Sequence, residues 1–221
     1  MKKFTGFILG GSLILTIIIS NFGGFIRDGR RLDSLRNSVL RLHILADTDT
    51  EYAQSLKLKV RDGLLEAGIF TEVDSLSEAE AIAAENLTNI ENKAEEILRE
   101  NGCFLPVTAE LADVVFDERV YDDITMPAGE YRALRIKIGS AQGKNWWCVM
   151  YPPLCLPAVC DERKSEENVE KSDSAEELFT EEERDILHYP KKYEVRFALW
   201  DKIKAILESK NVQSDENNAN P

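Results

Sequence analysis

Hydrophobic and polar positions alternate along residues 38–46, which have the sequence SVLRLHILA. One face of the predicted strand is apolar throughout and should point into a core. This face consists of Leu40, Leu42 and Ile44. The opposite face carries Arg41 and His43, so the pattern predicts that this second face meets solvent or a partner.

Two amphipathic helices are predicted next, at residues 48–67 and 77–100, because apolar residues recur there every three or four positions. Thr48 and Ser77 are each followed three residues later by Glu, which is the capping-box pattern of a helix N-terminus. Gly68 is predicted to end the first helix, since glycine readily adopts the positive φ of a C-terminal cap.

Three further strands are predicted at residues 106–116, 131–138 and 146–151 from their β-branched, aromatic and alternating apolar positions. The connection at residues 139–145 is rich in Gly and Asn, so the last two strands are expected to be antiparallel neighbours. These elements predict an α+β domain at residues 38–160, with a small, largely antiparallel sheet and two long helices.

The C-terminal third divides into three parts. Residues 161–180 are acidic and almost without apolar side chains, which is typical of a mobile segment. Residues 181–208 follow a third capping box at Thr180 and include an amphipathic helix, which we expect to pack back on the sheet. Residues 209–221 are predicted to be a disordered tail.

The N-terminus has the pattern of an export segment. Two lysines precede residues 4–26, which carry no charge and are strongly apolar. This pattern predicts a signal peptide or membrane anchor at residues 1–26, and it favours a location for the rest of the chain outside the cytoplasm. Residues 27–37 are polar and are expected to be a linker or a helical lead-in.

The charge distribution argues against nucleic acid as a partner. The net charge is −13, and no basic patch stands out. Residues 161–185 contain twelve acidic and four basic side chains and thus hold about −8 of that total. Most of the negative charge therefore lies in a segment that is expected to be solvated, and the folded part is only mildly acidic.

Candidate catalytic groups are few. His43 and Asp47 are the one local pair that resembles a general base with its orienting carboxylate, although a helix cap also explains Asp47. A zinc site built from Cys148, Cys155 and Cys160 with a distant histidine has no familiar spacing. No phosphate-binding, dinucleotide-binding, serine-hydrolase or zinc-protease motif occurs, so the sequence predicts no enzyme and no cofactor.

The block at residues 139–160 concentrates tryptophan, cysteine and proline. A core hairpin with a stiff exit explains this composition, and a docking surface on one edge is the alternative. The candidate partner-binding residues, here and near residue 43, are Arg41, His43, Asp47, Trp146, Trp147, Tyr151, Pro152 and Pro153. Cys148 and Cys155 are candidates for a disulfide across the Pro-Pro reversal, with buried free thiols as the alternative.

Several of these blocks resemble one known family. The segments RLHILADTD, LKLKVRD, PAGEYRALRIKIG, NWWCVMYPPLC and YEVRF occur in order between residues 39 and 197. Together they are similar to the stage II sporulation protein R family. The resemblance implies a signalling protein that is made in the forespore and exported into the space between the two membranes. It further implies that the protein activates a membrane-embedded aspartic protease, which processes the precursor of a mother-cell sigma factor.

Two other functions remain open from the residues themselves. One is an exported hydrolase of the cell envelope that uses His43 and neighbouring carboxylates. The other is a structural module of the envelope in which residues 162–175 serve as a spacer.

Overall fold

A computed structural model describes residues 2–68, 73–121, 124–153, 178–193, 197 and 199–205. The domain is a mixed α+β fold around a four-stranded, mostly antiparallel sheet, which confirms the predicted class. The elements in chain order are α1 Lys2–Arg36, β1 Leu40–Leu45, α2 Glu51–Glu66, α3 Leu76–Glu85, α4 Leu87–Glu100, β2 Val107–Phe116, β3 Arg119–Tyr121, β4 Ile124–Met126, β5 Gly129–Ile138, β6 Asn145–Tyr151 and α5 Glu181–His188.

The strand order is β2-β5-β1-β6, so β1 lies between β5 and β6. Arg41 of β1 is opposite Ala133 of parallel β5 and opposite Val149 of antiparallel β6. The predicted hairpin between β5 and β6 is therefore wrong. All six residues of β1 are buried, and a strand that is buried on both faces is most stable in the centre of a sheet.

The first face of the sheet packs on α2 and α4. Their apolar stripes meet alternate residues of the strands, as the pattern predicted. This cluster includes Leu42, Ile44, Leu56, Val60, Ile90, Leu98, Leu134 and Ile136. Gly68 ends the first helix region with a φ of 65°, as predicted.

The second face is also covered in part, by the end of α1, by α5 and by the β3–β4 hairpin. This cluster includes Leu32, Leu35, Phe116, Met126, Tyr131, Val149, Leu187 and Phe197. The prediction that the Arg41 face meets solvent is consequently wrong, since Arg41 is 0% and His43 3% exposed. The β3–β4 hairpin was not predicted.

Residues 27–36 are helical, and Leu32 and Leu35 are buried, so the helical alternative for this segment is the one that the structure shows. Helical residues 199–205 pack back against it: the Trp200 Nε1 donates to Asp33 Oδ2 at 3.1 Å. Arg36 pairs with Asp201 at 2.7 Å.

Among the described residues, no helix combines the length and hydropathy of a membrane span. Residues 161–177 of the predicted mobile segment 161–180 and the tail at 209–221 lie outside the described residues. Phe179 is buried in the cluster on the second face, so the prediction is wrong at the end of that segment.

Two predicted helix starts are wrong by two residues. Thr50 caps α2 by accepting from the Ala53 amide, and Ser75 caps α3 by accepting from the Glu78 amide. Each predicted cap was the other member of a Thr-x-Thr or Ser-x-Ser pair, so local sequence did not distinguish them. The Thr180–Glu183 capping box is confirmed.

The predicted helix 77–100 is two helices, α3 and α4, which meet at Asn86. The Asn86 Nδ2 donates to the Ile82 carbonyl at 2.9 Å. Such a bond from side chain to backbone competes with regular helix hydrogen bonding, which explains the break.

Candidate interaction surface

Two loops meet at one end of the sheet because β1 and β5 are parallel and neighbouring. Asp47 Oδ1 accepts from the Ser140 amide at 2.7 Å, and Asp49 Oδ1 accepts from the Lys144 amide at 2.6 Å. The Gly143 amide donates to the Ala46 carbonyl at 2.9 Å. Asp47 therefore joins two loops, and its side chain hydrogen-bonds to Ser140 and not to His43.

Glycine is required where these loops touch. Gly139 has a φ of 56°, and a Cβ there would overlap the Asp47 carboxylate. A Cβ at Gly143 would overlap the Thr48 carbonyl oxygen, which is backbone and cannot rotate away. The glycines of the 139–145 connection thus serve loop contact, and the turn of a hairpin is not their role.

Arg41 is a buried cation surrounded by aromatic rings. Its guanidinium carbon lies 3.9 Å from the centre of the Phe116 ring and 4.8 Å from that of Tyr131. Its NH2 group donates to the Tyr121 hydroxyl at 2.6 Å. Burial lowers the pKa of Arg41, and no described carboxylate offsets that effect. Cation–π contact is the main electrostatic support for this charge.

His43 is buried beside Trp147. The two rings stack with centroids 4.1 Å apart and planes 6° from parallel. Neither ring nitrogen has a hydrogen-bond partner among the described residues. Burial lowers the pKa of His43 to about 4; the Asn145 side chain opposes the shift and the cations nearby, chiefly Arg135, add to it. The ring is consequently neutral at physiological pH.

The neutral state of His43 predicts a loss of stability in acid. The unfolded chain, with a histidine pKa of 6.5, binds more protons between pH 6.5 and 4 than the folded chain, whose His43 pKa is about 4. Stability is thus full above pH 6.5 and falls as pH drops towards 4, by about 3 kcal/mol at most. Urea unfolding of the purified full-length chain across this range measures the loss.

The variant His43→Phe keeps an aromatic ring against Trp147 and removes the titrating group, so it should flatten the part of the pH profile that His43 causes. Phe104→Ala, which removes an exposed ring that does not titrate, is the control and should keep the wild-type slope. Equal slopes in wild type and His43→Phe would contradict the assignment.

The predicted aromatic and proline candidates divide between core and surface. Trp147 lies on the second sheet face and is half-buried, whereas Trp146 lies on the first with the Arg61 guanidinium 4.3 Å from the centre of its ring. The Tyr151 hydroxyl donates to the Asp74 carbonyl at 3.2 Å. Pro152 is buried after a cis peptide bond, and Pro153 is exposed. Most of these candidate residues therefore pack within the domain, and few of them are on its surface.

One part of the second face has no helix over it among the described residues. Directly opposite residues on the four strands form a row there, Trp147, His43, Arg135 and Glu110. The exposed and half-buried residues of this region form a surface that we call the basic shelf. It comprises Arg119, Arg135, Lys137, Asn145 and Trp147.

The basic shelf carries cations that are only partly neutralised. The Arg135 and Lys137 side chains are 32% and 31% exposed, and both pair with Glu110, at 3.6 and 2.6 Å. The hydrogen bond from Lys137 is the largest influence that lowers the pKa of Glu110. Arg119 lies 5.8 Å from the centre of the Trp147 ring. Guanidinium and ammonium groups beside an indole ring are suited to carboxylates of a partner.

Arg135 and Lys137 were not selected as candidates from the sequence. Alternation along the strands could have identified these two residues. Arg135 and Lys137 alternate with apolar residues in their strand, as His43 does in its own, so all three lie on the face opposite the apolar one. Their common face was missed because the parallel pairing of β1 with β5 was not expected.

The structure describes two of the four cysteines, Cys103 and Cys148. Cys148 is disulfide-bonded, and Cys103 is a buried free thiol. Because a bridged sulfur is not a thiolate, Cys148 is not available to the zinc set that the sequence analysis considered and found without a familiar spacing. Cys155, the predicted partner, lies outside the described residues. Within the part of the chain that is described, no three His, Cys, Asp or Glu side chains converge as metal ligands.

Comparison with known proteins identifies relatives of this chain. The family model described as stage II sporulation protein R matches residues 36–161. The stage II sporulation protein R of Bacillus subtilis (strain 168) is 29% identical over 175 residues, which are 65% of this chain and 78% of the relative. No solved structure matches. The matched segment includes the sheet, the loop contact and the basic shelf, and the chain belongs to the stage II sporulation protein R family.

Proposed function

We propose that this protein is an exported signal of sporulation that activates a membrane-embedded aspartic protease, which processes a mother-cell sigma-factor precursor. The single observation that carries the proposal is membership of the stage II sporulation protein R family. In this proposal the protein is made in the forespore and acts in the space between the two membranes. Its role is to be recognised, and it performs no reaction of its own.

Two features support export. Residues 4–26 carry no charge and follow two lysines, which is the pattern of a signal or anchor segment. Cys148 is disulfide-bonded, and disulfides persist in compartments outside the reducing cytoplasm. We propose that the N-terminal segment leads the chain across the forespore membrane.

The basic shelf supports recognition of a protein partner. Two cations that are each about one-third exposed lie on a sheet held rigid by cores on both faces. A rigid surface loses little conformational entropy when it binds. We propose that acidic groups in the outer part of the protease meet this shelf.

Disruption of the gene should leave cells that form the asymmetric septum but accumulate no mature sigma factor. The expected loss is complete, because the proposed protease is inactive without its signal. Immunoblots for the precursor and mature forms through a sporulation time course measure the effect.

Complementation with the wild-type gene is the control and should restore processing. Normal processing in the disrupted strain would overturn the proposal. Release of soluble fragments from purified cell wall by the full-length chain would point to a hydrolase instead.

A further inference from the structure

Within the described residues, the outer edge of β2 is covered in its first half and uncovered in its second. β2 is an edge strand, paired with β5 alone among the described strands. The Val107 amide donates to Glu95 Oε1 at 3.2 Å, and the Ala109 amide donates to Glu91 Oε1 at 2.8 Å. These two carboxylates, one turn apart on α4, replace the acceptors that a neighbouring strand provides.

Beyond this point no described residue covers the outward amides. The register of β2 with β5 is unbroken from Val107 to Phe116, so amides alternate between the inner and outer edges. Because Val107 and Ala109 point outwards, the amides of Leu111, Asp113 and Val115 do so as well. No described residue accepts from any of these three amides.

The open half also lacks the usual protection of an exposed edge. Val115 is 70% exposed, and Val120 on the adjoining hairpin is 67% exposed. The Asp113 carboxylate is directed to Arg132 of the neighbouring strand, at 3.5 Å. Natural sheets usually protect such an edge with charges, prolines, bulges or a covering element. Here β-branched apolar residues border a row of amides that have no acceptor in the described part of the chain.

We propose that an extended segment of the partner protein adds to the sheet along Leu111–Val115 as a fifth strand. The chemistry of the edge selects this occupant, because alternating amide and carbonyl groups are complementary to another extended backbone. Small or β-branched side chains of the segment would lie beside Val115. The inference rests on the proposed function, and it specifies how the partner is bound.

Val115→Pro tests the backbone contact directly. Proline removes the outward amide without removing a bond to β5, and edge strands tolerate proline at such positions. We expect about tenfold less mature sigma factor than with wild type, since one backbone bond and the close approach of the partner strand are both lost. Val115→Thr keeps the amide and the branched shape and should process normally.

The two proposals fail in different ways. If the wild-type gene does not restore processing to the disrupted strain, the proposed function is wrong. If wild type and Val115→Pro both restore it fully while the chains accumulate equally, strand addition at this edge is wrong.

A crosslinking measurement decides the matter even if Val115→Pro does not accumulate. The photoreactive residue p-benzoylphenylalanine is placed at Val115 or, as the control, at Phe104, which is 81% exposed and already aromatic. In sporulating cells that carry an epitope-tagged protease, we expect a crosslink to the tagged protein from position 115 and none from position 104. Absence of the crosslink at 115 when the chain is present and processing occurs would overturn the inference.

Discussion

Phe116→Ala should lower the free energy of unfolding by about 3–5 kcal/mol, the usual cost of emptying a well-packed phenylalanine site. Phe116 is 1% exposed, and its ring centre is 4.4 Å from that of Trp147 and 5.7 Å from that of Tyr131. It also lies 3.9 Å from the Arg41 guanidinium carbon. Truncation therefore leaves a cavity and removes the closest cation–π contact to a buried charge.

Phe104→Ala is the matched control for this prediction. Phe104 is 81% exposed, so its loss should change stability by no more than about 0.5 kcal/mol. Urea unfolding of the purified full-length variants, followed by tryptophan fluorescence, gives both values. Similar small changes in the two variants would mean that the second core is not packed as described.

Cys148→Ser should lower the free energy of unfolding by about 2–5 kcal/mol, the range for loss of a native disulfide from a small domain. Cys148 is 2% exposed and lies in the cluster between the sheet and α2 and α4. The variant loses the covalent constraint on the unfolded chain and places a hydroxyl group among apolar side chains.

Adding a reductant distinguishes the effect of losing the disulfide from the effect of replacing the Cys148 side chain. Wild type should lose stability when dithiothreitol is added, and Cys148→Ser should be insensitive to it. Cys103→Ala removes the buried free thiol and should keep the response to reductant. A wild-type protein whose unfolding curve is unchanged by dithiothreitol would contradict a stabilising disulfide.

Local signals in the sequence were sufficient for much of the fold. The Thr180 capping box and the stop at Gly68 follow from hydrogen bonds and dihedral angles within a few residues, and both are confirmed. The alternation in β1 correctly gave its apolar core face, including Leu42 and Ile44. These features depend on neighbours in the chain, which a pattern contains.

The order of the strands in the sheet could not be predicted from such local signals. A short, glycine-rich connection between two strands usually forms a hairpin, and sequential strands often pair. Here Gly139 and Gly143 instead allow contact with the loop after β1. A better indication that β1 is a central strand was the segment from Val39 to Ala46, which is buried throughout. Its Arg41 and His43 instead suggested that one face of the strand meets solvent.

The site was predicted less well than the fold for a related reason. A buried arginine without a carboxylate is expensive unless aromatic rings surround it, and Phe116, Tyr121 and Tyr131 are distant in sequence. No local pattern predicts that arrangement. The motif blocks identified the family, but a motif does not say which of its residues are core and which are surface.

The placement of β1 also constrains when the domain can form. β1 is the first strand to be synthesised, yet its partners are β5 and β6, and Arg41 must wait for Ala133 and Val149. Pairings between such distant segments form slowly. A nascent polypeptide that lacks the last two strands cannot close its sheet, so the domain cannot complete its fold until most of the chain has been synthesised.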